Sequence, residues 1–472
     1  MVDIPLPSTS APGLRPSEGA GRLINAYVEQ VGQGLAPDGF VRRRVPGVRE
    51  FARTGVNGCR GMHEVSGVVL IAQDDQLVRL DDDGTVTVLG ELLGTGPVTF
   101  ASNRKSPTPD ILCVTTAGVY ECTISAAPTT LSDGDLPQPF AVCYIDGYFM
   151  MAIRDGRVFA SGLNDTTFAA LDFATAEGKP GGLYRAIPFG QQLYLMGPRH
   201  VEPWYNAANA EGFPFSRTTV IPLGLVSPFA VAGYEDGFSA SLIFVANDRR
   251  VWRIDGGAPQ VISTPDVDRA LSAVDDVSQI RALCFAAAGH AQWAVTGPGF
   301  SWVFDLSTEK WHERASYLEA NWRAAFSVNA FDRWLVGDAT ADHIGAIDEN
   351  YHEEYEKPLV WTVITGHSAA FPNRLTVSRT DINMVVGQGL PAGREPIETR
   401  PSMRISYSSD GGNKYSVPVV RELGRDGQSR VRVNVNRCGM TGPQGRVWKY
   451  EVSDPVYVGL LSATQEIEAR PR

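Results

Sequence analysis

Lysine is scarce in this chain, six residues against 36 arginines, and acidic residues outnumber basic ones by 53 to 42 for a net charge of −11. That balance excludes a protein that clamps a phosphate backbone with its whole surface. It leaves room for a conduit, because acidic walls repel phosphate and discourage sticking. No stretch approaches the ~18 consecutive apolar residues of a membrane-spanning helix. The opening MVDIPLPSTSAPGLRPSEG has neither the basic nor the apolar segment of a secretory leader. The expectation is a chain made and folded in the cytoplasm, without membrane insertion. The six cysteines contain no CxxC pair, and most lie in apolar runs such as ILCVT, AVCYI and ALCFA, so they read as buried thiols. Cys113 and Cys122 flank the Ala117-Gly118 turn symmetrically, but nothing else points to an oxidising compartment, and their redox state stays open. GxxxxGK[ST], HExxH and GxSxG are missing, as is any GxGxxG placed between strand and helix. No enzymatic activity, cofactor or metal is therefore expected.

What is abundant is punctuation. With 48 Gly and 31 Pro, and few long runs of helix formers, the chain predicts many short strands and turns, hence an all-β fold. Gly67 to Gly90, GVVLIAQDDQLVRLDDDGTVTVLG, alternates apolar runs of about five residues with Asp-Asp and Asp-Gly turns, giving three strands. With CRGMHEV, Cys59 to Val65, ahead of it, the unit has the size of one β-propeller blade. A period of about 35 to 45 residues then continues. Further blades are predicted over 97–131, 140–171, 182–220, 229–263, from Ile280 and from Asn321. The last has three strands of its own, a deficit that a ring-closing strand from the N-terminal region would fill. The count is six or seven. Between the fifth and sixth, TPDVDRALSAVDDVS, Thr264 to Ser278, reads as an inserted helix.

Ahead of the first blade, residues 1 to about 22 are rich in Pro, Ser and Gly and read as an extended arm, loose or lying on a neighbour. RLINAYVEQ, Arg22 to Gln30, alternates as a strand, and GFVRRRVPGVREF follows. After Lys357-Pro358 the strands lengthen and six of them fit a β-sandwich. The predicted domains are an arm with ring-closing strand over 1–56, a propeller over 57–356, and a β-sandwich-like domain over 357–472.

His343 and His352 lie near Glu353 and Glu354, but no cysteine or third histidine stands at ligand spacing, so this segment reads as a solvated acidic blade edge. Asp81, Asp82, Asp83 and Gly84 read as a hairpin turn before a calcium loop. Ser408, Asp410, Gly412 and Tyr415 fit the Asp-box, a structural turn resembling those of sialidase-type propellers. Trp252, Trp293, Trp302, Trp311, Trp322 and Trp334 read as core packing before sugar stacking.

The Asn-x-Tyr strand at Asn25, Tyr27 and Glu29, GFVRRRVPGV, and at the other end ISYSSDGGNKYS with GRVWKYEVSDPVYVGLLSATQEIE together resemble the packaged-DNA stabilisation proteins of short-tailed bacteriophages, also called tail hub, nozzle or tail accessory proteins. The resemblance implies a non-enzymatic virion tail protein. It further implies a homo-hexameric ring below the portal and its adaptor that retains packaged DNA and forms the ejection channel. Tail fibres or spikes and a needle or plug would attach to it, and double-stranded DNA would pass without sequence-specific binding. Arg42, Arg43, Arg44, Arg446, Trp448, Lys449 and Tyr450 are the nominated contact residues. The alternatives are a carbohydrate-binding or glycosidase-type propeller, motivated by the Asp-box and the tryptophans, and a propeller that binds protein partners.

Overall fold

Val68–Gln73 is buried at all six positions, because the second strand of a blade is covered on both faces by neighbouring blades. Such a strand reads as an unbroken apolar run, as do Ile111–Val114 and Leu242–Val245. In the computed structural model, which describes residues 1–470 except 33, 35, 177, 179, 210, 211, 239 and 240, these strands build a seven-bladed propeller. Blades one to six occupy residues 59–91, 99–130, 141–175, 185–217, 231–261 and 281–313. Blade seven supplies Ala324–Ala330, Arg333–Asp338 and His343–Asp348, and takes its fourth strand, Gly47–Arg53, from ahead of blade one. At Gly47 a Cβ would lie 2.1 Å from the Tyr351 carbonyl oxygen, so only glycine lets the closing strand enter.

The inserted helix is shorter than its sequence pattern, Pro265–Ser272, with a separate 3₁₀ turn at Val277–Gln279. Asp276 accounts for the break: its side chain accepts the Ser278 N–H, capping the second turn. Val267 and Leu271 bury against the core shared by blades five to seven.

Two sheets form the sandwich. One has the order Ala26–Gln30, Phe40–Arg44, Gly459–Arg470, Arg374–Met384, Val433–Met440, with Val2–Asp3 also on Gly459–Arg470. The other has the order Arg22–Ile24, Trp361–Ile364, Val447–Val452, Ser402–Ser408, Val419–Glu422. Trp361, Val377, Met403, Trp448, Tyr450 and Leu460 fill the space between them. The second sheet does not stop at Arg22–Ile24, which pairs in parallel with Lys310–Glu313 of blade six, so one sheet runs from propeller into sandwich.

RLINAYVEQ is therefore two strands, not one. Asn25 turns the chain from one sheet to the other with φ of 50°, a left-handed conformation that asparagine tolerates better than most residues. Its Nδ2 donates to the Ala315 and Val360 carbonyls at 2.9 and 3.1 Å, and its Oδ1 accepts the Ala315 N–H at 3.0 Å. The N-terminal arm is likewise tied to its own chain. Ile4 is buried in the sandwich, Ser10 donates to Glu313 at 3.0 Å, Arg22 pairs with the same carboxylate, and the Gly13 N–H reaches Asp266 of the inserted helix at 2.9 Å. Sequence composition missed this because a proline-rich segment needs few apolar anchors once a finished surface offers it backbone partners.

Beside the pivot, His290 Nδ1 lies 2.7 Å from Asp305, and its ring meets Tyr27 edge-on at 5.1 Å. The Asp305 hydrogen bond raises the His290 pKa above its ordinary 6.5, with Glu29 adding and burial and Arg43 opposing. His312, 6.4 Å from Tyr27, is buried and pushed down to about 3, so it stays neutral.

Asn25→Ala should cost on the order of 3 kcal/mol in chemical denaturation, three lost hydrogen bonds plus backbone strain, and Asn25→Gly about 1 kcal/mol less. A cost below about 1 kcal/mol for the alanine variant would show that the side chain does not hold the pivot. Because the folded pKa of His290 is raised, its stabilisation is complete below about pH 6.5 and lost as pH rises through the folded value. The melting-temperature gap between wild type and His290→Gln should narrow along that rise; a gap independent of pH contradicts it. Deleting residues 1–20 should expose the sandwich to protease while the propeller stays resistant, whereas unchanged proteolysis would show the arm to be dispensable.

Candidate functional site

The first strands of all seven blades line one axial cavity of about 1020 Å³. Its chemistry gathers where blades four, five and six meet. Glu235 is half-buried and accepts the Gly233 N–H at 2.6 Å and the Cys284 thiol at 3.1 Å, and desolvation raises its pKa. Burial raises the Cys284 thiol well above its usual range too, so it remains a thiol and no thiolate nucleophile forms. Arg185 packs its guanidinium 5.1 Å from the Phe229 ring and donates to the Tyr234 hydroxyl at 3.0 Å. On the opposite wall His63 stacks on Phe100 and contacts Ser102 Oγ at 3.0 Å, and burial pushes it down to about 4. These contacts join neighbouring blades, and sequence periodicity gave no sign of them, since the partners come from different repeats.

The nominated contact residues lie mostly inside the molecule. Arg42 is fully buried, donating to the Pro7 and Phe40 carbonyls at 3.0 and 2.8 Å and pairing with Asp38. Arg44 donates to the carbonyls of Val452 and Asp454, both at 2.8 Å, and burial pulls it down to about 9. Arg446 is buried, donates to Cys438 O at 2.8 Å and lies 4.2 Å over the Tyr407 ring. Trp448 and Tyr450 are core residues of the sandwich. Burial takes these five out of a partner's reach; they lock the sandwich to itself. Arg43, paired with Glu29, and Lys449, 3.2 Å from Glu451, are partly exposed. Sequence alone nominates Arg42 to Arg44 as contacts because strand alternation does not reveal which edges another strand will cover.

The Asp-box turn has the hydrogen bonds its residue types require. Ser408 Oγ accepts the Gly412 N–H at 2.8 Å, Asp410 Oδ1 accepts the N–H groups of Asn413 and Lys414 at 3.1 and 3.0 Å, and Gly412 has φ of 91°. Tyr415 lies beneath Lys449, 5.4 Å from its ring centroid. The turn belongs to the sandwich and not to a blade, which detaches it from the glycosidase reading. Asp81 to Gly84 forms a hairpin turn, with Asp83 accepting the Thr85 N–H at 2.8 Å. Trp293, Trp302, Trp311, Trp322 and Trp334 are buried in the core of blades five to seven.

The segment from His343 to Glu354 departs from the expected solvated edge. Glu353–Glu354 is a buried strand that pairs in parallel with the closing strand. Trp322 donates to Glu354 at 2.7 Å, and Arg394, between the strands Arg374–Met384 and Ser402–Ser408, reaches Glu353 at 2.8 Å. His343 contacts Glu50 at 2.8 Å and stacks on Tyr355, while burial pushes His352 down to about 4. Cys113 and Cys122 are both free and buried, opposite Tyr120 and Ile111 in the hairpin register.

Among solved structures, similarity extends to virginiamycin B lyase from Staphylococcus aureus, at 13% identity over 62% of this chain and 94% of that one, TM-score 0.43. The WD40 β-propeller domain of Doa1 is similar at 11% identity over 64% and 96%, TM-score 0.43. BamB from Moraxella catarrhalis is similar at 12% identity over 61% and 82%, TM-score 0.37. A comparison with curated protein sequences yields no match. The sequence profile of the Phage_stabilise family, described as "Bacteriophage P22 Gp10, beta-propeller", matches residues 24–352, from the sheet-switching pivot to the strand against the ring closure. With well over half of its length in that match, the chain belongs to the Phage_stabilise family of the bacteriophage P22 Gp10 β-propeller and is a phage structural protein.

Proposed function

We propose that this protein is a tail hub or nozzle of the virion, six copies forming a ring beneath the portal and its adaptor that retains packaged DNA and forms its exit path. Family membership over residues 24–352 is the observation that carries this reading. In it the chain has no catalytic role, and its partners are the adaptor, fibres or spikes, and a needle or plug. The propeller's own axis is not the DNA path: about 1020 Å³ is the scale of a small-ligand cavity, so a duplex must run between copies. The continuous sheet from blade six into the sandwich suits the role, because it lets a two-domain subunit behave as one wedge in a closed ring. A net charge of −11 per copy suits a passage that DNA must leave quickly.

Mass spectrometry of purified particles from the parent phage should find this chain at about half the copy number of the portal protein. Its absence from particles would overturn the reading.

A further inference from the structure

The sandwich ends at an edge whose charge is opposite to that of the chain as a whole. Residues 402–440 hold seven Arg and Lys against three Asp and Glu, in a protein with a net charge of −11. Arg404, Lys414, Arg425, Arg430, Arg432 and Arg437 are all exposed, and among the described residues none has an ion pair or side-chain hydrogen bond. Exposed apolar side chains lie along the same stretch of chain: Val417 is 86% exposed, Val420 55% and Met440 51%. Val419–Glu422 and Val433–Met440 are the outermost strands of their sheets, so the backbone there is also open to a partner.

The complementary surface lies across the ring. Blade six bears the sandwich, and in a ring of seven it faces blades two and three. Residues 59–175, blades one to three, hold fifteen Asp and Glu against six Arg and Lys. Asp75, Asp82, Glu91 and Asp135 are exposed there, and among the described residues none of them has an ion pair or side-chain hydrogen bond. Leu93, Leu163 and Leu171 add exposed apolar groups, and blade three ends in an eight-residue outer strand, Phe168–Thr175, whose far edge no other strand pairs with among the described residues.

We propose that the basic sandwich edge of one copy docks on the acidic rim of blades one to three of a second copy. The two surfaces differ and lie at opposite ends of the molecule, so the contact is head-to-tail and propagates until a ring closes. It deepens the ring reading above and rests on it. A duplex is the competing occupant of a basic edge, but protein–DNA surfaces are polar, and Val417, Val420 and Met440 favour a protein partner.

The test is sedimentation velocity of the full chain and two variants of exposed residues, one carrying R425E, R430E, R432E and R437E, the other D75K, D82K, E91K and D135K. Thermal melts verify that each variant is folded. Wild type should self-associate at low salt and weaken by about tenfold or more as salt screens the contact. Each variant alone should be monomeric. Their equimolar mixture should recover self-association, because the unaltered pair of surfaces and the charge-swapped pair are both complementary. The proposal fails if wild type stays monomeric at low salt or if either variant associates like wild type. It fails equally if the arginine variant loses affinity for a random-sequence duplex with self-association unchanged. Failure here with the chain present in particles leaves the tail reading standing and moves the contact elsewhere; absence from particles with the contact intact removes the tail reading alone.

Discussion

The structure depends on one antiparallel ladder, Gly47–Arg53 against His343–Asp348. A propeller is a curved row of sheets, and without that ladder the last blade would leave the outer N–H and C=O groups of His343–Asp348 unpaired. Everything nearby serves the ladder. The buried strand Glu353–Glu354 lies along its far side, Arg314 donates to the Pro46 carbonyl at 2.9 Å, and Trp322 binds the Glu354 carboxylate. Burial lowers the Arg314 pKa to about 10 and raises that of Glu354, opposite consequences of the same desolvation.

The second constraint is the seam. A sandwich joined to a propeller by a loop would swing, and this one is joined by a sheet. Arg22–Ile24 pairs with strands on both sides, and Asn25, Ser10, Arg22 and Glu313 hold the crossing in place. The family match begins at residue 24, the last residue of this crossing strand, and takes in Asn25 and Glu313.

Blade boundaries were legible in the sequence because turn residues recur between apolar runs, and the predicted blade at Gly67 to Gly90 coincides with three observed strands. The missing fourth strand of the last blade was legible as a deficit. What stayed hidden is long-range pairing. Nothing local tells Asn25 to divide a strand between two sheets, and nothing local distinguishes Arg42, whose guanidinium is buried, from Arg425, which is exposed. The nominated contacts were drawn from conspicuous residues, and of these Arg42, Arg44, Arg446, Trp448 and Tyr450 turn out to be interior, the three arginines donating to backbone carbonyls. The exposed cations were visible in the sequence too, but their lack of partners is a property of the fold.

The same pairings set the order in which the molecule is completed. Gly47–Arg53 waits for His343–Asp348, Arg22–Ile24 for Trp361–Ile364, and Val2–Asp3 for the last strand, Gly459–Arg470. These early strands thus wait for partners about 290 or more residues further along the chain, and their open backbone stays exposed until those partners are made. Contacts so distant in sequence make folding slow. A nascent chain of this kind is open to pairing with its neighbours on a polysome, so the long wait for a partner strand is itself a hazard.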